Sequence, residues 1–370
     1  MRTPASKQPT AETPNSTGSS SGDRRRSRRR ISRRRLAIFV LRRLLIIPLS
    51  IFIVVTAAFG LVNLLPGNPA LVIAGGFATD ERVAEIETEL GLDQPLLTRY
   101  TDYVRDLGRG DLGESYYTGR SVREDILERL PNSIELIVPA LALAALLGLA
   151  FGSISAYFRQ RAPERVTRIV ITLTQSVPDF LLSLVLIYVV FFSLGWAPSP
   201  VGRLGILEQS PESITKFPIV DSVLRGEWGT LGSLLHHMML PVLALGVVYS
   251  AYFAKTSRTA LAASLGSQQV EFARACGLPE RQVFRYAFLA ARTPLLTYGA
   301  ILIGSLLGGA AIVESIFAWR GLGQWALEAM LEVDLPAIQG FVLVVGILTL
   351  LIYLLLDLLV LMLDPRVSYE

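Results

Sequence analysis

The sequence predicts an all-α polytopic membrane protein with six transmembrane helices and both termini cytoplasmic. Its overall composition, its long apolar runs and the placement of its basic residues all point that way. Of 370 residues, 51% are hydrophobic and 18% charged, with mean hydropathy +0.47. A soluble domain carries about 25% charged residues. Six apolar stretches, near 44–65, 134–158, 169–196, 238–254, 294–313 and 338–363, stand out. A helix needs about 20 residues to cross roughly 30 Å of hydrocarbon. Each stretch is continuously apolar rather than alternating, which favours helices that satisfy their own backbone over a barrel. The fourth is the shortest, at 17 residues, and contains Pro241; His236 and His237 would extend it.

Orientation follows from Lys and Arg, which collect on the cytoplasmic side. Six spans place the N-terminal tail, residues 159–168, residues 255–292 and the end after Asp364 in one compartment. With Arg42 and Arg43 in the tail, these segments hold 13, 4, 6 and 1 basic residues, 24 of the chain's 35. The pI of 9.3 then reflects topology, with no nucleic-acid partner implied. The single cysteine, Cys276, cannot make a disulfide within the chain.

Residues 1–35 are expected to be a disordered, Arg-rich cytoplasmic tail that touches anionic lipid, since nine arginines fall between Arg24 and Arg35. Residues 36–65 make the first transmembrane helix, too long for the apolar part of a signal peptide. An external segment follows over 66–130. In it, Thr79 to Leu90 reads as an acidic helix ended by Gly91. Ser121 and Glu124 have capping-box spacing. Val122, Ile126 and Leu130 then share one face of an interfacial helix that Pro131 ends. Residues 131–364 form a five-span core containing the loop 255–293, and 365–370 are a cytoplasmic end. In that loop Gly277 and Pro279 end one helix and Gln282 to Ala291 start another, so two short helices at an angle form a knob.

Catalytic patterns are absent. None of the three lysines follows a glycine, so no GxxxxGK[ST] nucleotide loop exists, and HExxH does not occur. The chain is expected to be no enzyme, with no cofactor or metal of its own; the paired His236 and His237 read as interfacial residues. Charges inside the spans are Glu135, Asp179, Glu314 and Asp357. Glu135 and Glu314 sit near span ends, within reach of water. Asp179, after Pro178 in SVPDF, is the candidate pathway or helix-interface residue, because an intramembrane charge is costly. Gly304, Gly308 and Gly309 cluster small side chains in the fifth span, for close helix packing or for a solute.

Five segments together resemble a known family. They are LLPGNP from Leu64, GDLGESYYTGRSVREDILERLPNS from Gly110, EFARACGL from Glu271, GGAAIVESIFAWRGLGQ from Gly308 and LLLDLLVLMLDPRV from Leu354. The chain resembles the membrane-spanning subunit of bacterial ATP-binding-cassette importers of the dipeptide, oligopeptide and nickel group. The family's E-A-A-x-x-x-G pattern falls on Glu271, Ala273 and Gly277, with Phe272 in place of the first alanine. Arg320 stands where members usually have proline. The resemblance implies a type I ABC importer permease fold in the bacterial cell membrane. It also implies a homologous second permease as heterodimer partner, two ATPase subunits that bind ATP and Mg, and an external solute-binding protein. On this reading Glu271, Ala273, Arg274, Gly277, Leu278 and Pro279 couple the permease to an ATPase. The implied cargo is a short peptide. Nickel or another small solute is an alternative, as is a non-transporting receptor or scaffold. A proton-coupled carrier would need more buried ionisable groups than Asp179.

Overall fold

The structure is a computed structural model that describes residues 33–64, 68–75, 78–205 and 207–363. The sequence readings for the tail as far as residue 32, and for residues 365–370, lie outside the described residues. The chain divides into two units, 1–46 and 47–370. Of the first, only the beginning of helix α1 (Arg33–Leu64) is described.

The second unit continues through short helices α2 (Pro69–Ala74), α3 (Asp80–Glu89) and α4 (Leu96–Gly108). Asn68 starts α2, accepting from Ala70 N at 2.9 Å, and donates to Glu87 of α3 at 2.6 Å. Thr79 caps α3 through Arg82 N, and Gly91 ends it at φ +66°. Long helix α5 (Val122–Tyr157) follows, then α6 (Ala162–Ser176), α7 (Asp179–Leu186) and a π-helical stretch, Ile187–Ser193. The rest comprises α8 (Pro218–Arg225), α9 (Trp228–Leu265), α10 (Gln268–Ala275), α11 (Glu280–Gly309), α12 (Ala311–Ile316), α13 (Leu322–Leu331) and α14 (Leu335–Leu363).

Five helical segments are long and apolar enough to cross a membrane: Ile46–Leu64, α5, α9, α11 and Leu335–Val360. A sixth span exists only if α6 and the helix from Asp179 to Ser193 count as one, and these meet at a 95° bend. The break is local. Val177 is extended, at φ −93° and ψ +118°, as the residue before a proline tends to be.

The expected stop at Pro131 does not occur. Helix α5 runs through Pro131 and Pro139 without interruption, so residues 122–130 are its first turns rather than a separate interfacial helix. Nor does Ser121 act as a capping box, since its side chain makes no cap hydrogen bond. The backbone there is occupied differently, with Ser121 paired to Glu114 in an isolated bridge and Val122 N bonded to Gly113 O. The fourth span, shortest by hydropathy, is the longest helix among the described residues, at 38 residues. Polar residues at both its ends, including Lys255 and Arg258, continue the helix past its apolar middle.

Helices α5 and α9 form the central seam. Ala140, Ala144, Gly148, Gly152 and Ala156 recur every fourth residue on α5, and all are buried. Spacing of four keeps them on one face. A Cβ on Gly148 would lie 2.7 Å from Phe253 Cβ, and one on Gly152 would lie 2.5 Å from Ser257 Cβ and 2.9 Å from Ala254 O. On the other side, Gly246 of α9 receives Leu143. Small residues of this kind let two backbones approach within van der Waals contact, which drives association where no water is available to do so. The fifth-span cluster is looser. Gly304 has only Thr349 Cγ2 at 3.7 Å, and Gly308 has nothing within 4 Å.

Around the seam, buried charges hold the connecting segments. Glu135 and Glu314 do not reach water; they are 7% and 1% exposed. Glu135 pairs with Arg203 and accepts from Ile219 N at 2.8 Å, while Arg203 also bonds Asn132 and lies 5.0 Å over the Trp319 ring. Glu314 accepts from Ser133 Oγ at 2.6 Å and from Gln324 N at 2.9 Å. Asp334, also buried, takes Ser115 Oγ and the amides of Tyr116 and Ala337. Every one of these groups has a partner, as burial of charge requires. Arg320 has φ +55°, which a proline ring fixed near −65° cannot adopt, so this turn differs from one built with proline.

Candidate functional site

Two places combine exposure with ordered geometry. The first is a hairpin made by α10 and the start of α11. Val270 and Ala273 of α10 pack against Val283 and Ala287 of α11, with Leu265 and Leu278 alongside. All four central residues are at most 7% exposed, so the hairpin carries its own small core. Its turn is a Schellman cap. Leu278 N bonds Ala273 O at 3.2 Å and Gly277 N bonds Arg274 O at 2.9 Å, with Gly277 at φ +74°. That φ suits glycine and strains other residues. Pro279 then sits at the N-cap of α11. Arg274 bridges the turn to Glu280 at 3.2 Å. Both groups are about half exposed, so this pair orients the turn more than it stabilises it.

The structure corrects one feature of the sequence reading. The second arm is no short helix. It is the start of 30-residue α11, and the first arm follows α9 after only Gly266 and Ser267. The knob is therefore α10 alone, clamped between extensions of two membrane helices. Outside it stand Glu271 and Phe272, the latter 71% exposed. An exposed phenylalanine on a helix with its own core is surplus to the fold. The sequence showed it only as a departure from the E-A-A pattern.

The second place is a cavity of about 470 Å³ at the break between α6 and α7. Gln175, Pro178 and Asp179 line it from the break, Tyr249 and Tyr252 from α9, and Tyr298 from α11. Asp179 Oδ1 accepts from Phe180 N at 2.8 Å, which starts α7. Gln175 Nε2 donates to Ala251 O at 3.3 Å. Gly309 serves this cavity, because a Cβ there would lie 2.5 Å from the Tyr249 hydroxyl. Of the fifth-span glycines, then, Gly309 is the one that abuts a wall of the cavity. The tyrosines escaped the sequence reading. Their signal is weak but present: Tyr249 and Tyr252 stand three apart in an aliphatic span.

Hairpin and cavity share a helix. Glu280 and Tyr298 are 18 residues apart on α11, about 27 Å along its axis. His236 and His237 belong to neither place; their rings lie beside the carbonyl oxygens of Trp196 and Ser233, at 3.3 and 2.9 Å.

Residues 148–369 match the family model described as binding-protein-dependent transport system inner membrane component, and residues 36–137 match the model of its N-terminal part. The chain belongs to this family. As an inner membrane component it is a multi-pass transport subunit. Among its relatives is the probable D,D-dipeptide transport system permease protein DdpB of Escherichia coli strain K12. The two are 38% identical over 83% of this chain and 90% of the relative. The di/tripeptide transport system permease protein DppB of Pseudomonas aeruginosa is 36% identical over 90% of this chain and 99% of its own length. A crystal structure of an amino acid ABC transporter with histidines aligns with 64% of this chain and 93% of its own, with a TM-score of 0.43 and 17% identity.

Proposed function

We propose that this inner membrane component is a permease subunit of an ATP-driven importer of di- and oligopeptides. Both relatives named above are peptide permeases matched over nearly their full length. The single observation that carries the mechanism is the continuity of the hairpin with α11. A docked ATPase gripping α10 at Glu271 and Phe272 would press on a helix whose other end walls the Asp179 cavity. Arg274 and Glu280 keep the turn oriented, and Gly277, Leu278 and Pro279 fix the angle between arms.

In this reading the hairpin end is cytoplasmic, with both termini on that side, because basic residues concentrate there. Residues 131–364 act as the transport core and 255–293 as its coupling loop. A homologous second permease faces the cavity, two ATPases bind the ATP and Mg, and an external binding protein delivers the peptide. This chain binds no nucleotide and performs no hydrolysis. ATP binding draws the ATPases together, and the permease pair alternates between inward and outward openings.

The test is a reconstituted complex of both permeases, both ATPases and the binding protein in proteoliposomes. Labelled dipeptide should enter only with ATP and loaded binding protein. Phe272→Cys in a Cys276→Ser background should crosslink to an ATPase surface cysteine, with a yield that changes on adding ATP. Absence of crosslinks in every nucleotide state would sink the coupling role. Uptake of nickel but not dipeptide would replace the cargo.

A further inference from the structure

The cavity at the broken helix is chemically one-sided. Its ionisable wall residues are one carboxylate and three phenols, and no Lys or Arg lines it. We propose that it is a subsite for a peptide's ammonium terminus, with Asp179 as the counter-ion. This rests on the peptide-importer reading above.

A carboxylate within an apolar helical element is costly and gains from a cation; the N-terminus of α7 favours it, but the fold bonds one of its oxygens alone. Only one of its oxygens has work in the fold. Oδ1 accepts from Phe180 N in the first turn of α7, and among the described residues Oδ2 makes no hydrogen bond. Asp179 is half-buried and lines the open space, so a ligand can reach it. Tyr249, Tyr252 and Tyr298 add ring faces that attract a cation and hydroxyls that accept from it. Gln175 spends its amide nitrogen on Ala251 O, which leaves its carbonyl oxygen as a further acceptor. The cavity volume, about 470 Å³, is ordinary for a small-molecule site.

The same chemistry excludes other occupants. One carboxylate cannot replace the six to eight oxygens that a calcium ion takes, nor the octahedral shell of magnesium. An anion would meet a carboxylate and no compensating charge. A zwitterionic dipeptide therefore enters this cavity amine first.

The Asn side-chain oxygen accepts from an amide as the Asp oxygen does, so Asp179→Asn removes the charge and keeps an acceptor for Phe180 N. In the reconstituted complex, D179N should lower the rate of ATP-driven dipeptide uptake at least tenfold at saturating loaded binding protein. Asp179→Glu, which restores the charge on a longer stem, should recover at least a third of the wild-type rate. A role confined to the Phe180 bond predicts the reverse order, with Asn near wild type and Glu impaired. Uptake by D179N within twofold of wild type, or D179E as slow as D179N, overturns the inference. Wild-type complex that moves no dipeptide overturns the importer reading itself, and the subsite with it.

Discussion

Prolines occur in both the α5–α9 seam and the α6–α7 element, with opposite results. Pro131, Pro139 and Pro241 lie inside unbroken helices, whereas Pro178 accompanies a 95° bend. Proline in a helix interior removes one hydrogen bond and collides with the preceding turn, at about 3 kcal/mol. Along the seam, a neighbouring backbone held at contact distance by Gly148, Gly152 and Gly246 offsets that cost. At Pro178 the chain borders a cavity, nothing clamps it straight, and Val177 takes the extended conformation that a following proline favours. Loose packing is not sufficient by itself, since exposed Pro48 and Pro294 lie inside unbroken α1 and α11; at Pro178 it coincides with an extended Val177. The polar break lies beside an open cavity.

The comparison can be attacked most directly at the seam. Gly152→Leu would drive a side chain into Ser257 and the Ala254 carbonyl, and overpacking against backbone costs about 3 kcal/mol or more. The monodisperse fraction in detergent should fall severely. If its yield and thermal midpoint match the parent, the seam is not the clamp described here. Next in size is the hairpin. Gly277→Asp should cut reconstituted uptake at least tenfold while leaving folded yield nearly unchanged. Gly277→Ala should cost about 1 kcal/mol of stability through its left-handed φ and retain transport. Among the described residues, its chain neighbours apart, no atom lies within 4 Å of a Cβ at Gly277. A larger effect of aspartate than of alanine then points to a partner's surface, and equal damage by both variants would leave only strain.

Pro178→Ala comes third. With the ring gone and no clamp, the helix should heal, and spin labels at exposed Leu173 and Leu184 should move apart. Uptake should fall several-fold without loss of thermal midpoint. Unchanged label distances would mean that tertiary contacts, not the proline, set the bend. Pro139→Ala is the smallest. The seam already holds α5 straight, so its thermal midpoint should rise by a few degrees at most. A large gain would show that the seam was strained by the ring.

Much of the architecture could be read from the sequence because it depends on local composition. The apolar runs, the Thr79 cap with Gly91, and the Gly277-Leu278-Pro279 turn are all signals within a few residues. What escaped depends on neighbours. The Ala140 to Ala156 ladder spreads its signal over seventeen residues, and the compact glycine cluster of the fifth span drew attention instead. Hydropathy undercounted α9 because its ends leave the apolar zone while remaining helical. Pro131 read as a stop because nothing local reveals that the next two residues are held by Trp319 and Leu322. Glu135 seemed near water because its partner, Arg203, is 68 residues away. At the cavity, Asp179 announced itself as a charge, whereas the tyrosines that surround it come from two other helices.

Asp334 has a consequence of a different kind. It fastens the Ser115–Tyr116 segment to the beginning of α14, and Gly113 packs beside Pro336 on the same helix. The relief of that face is thus slaved to the tilt of the last helix. A visiting protein that fits one relief better than another would, by mass action alone, vote on which way the helices lean.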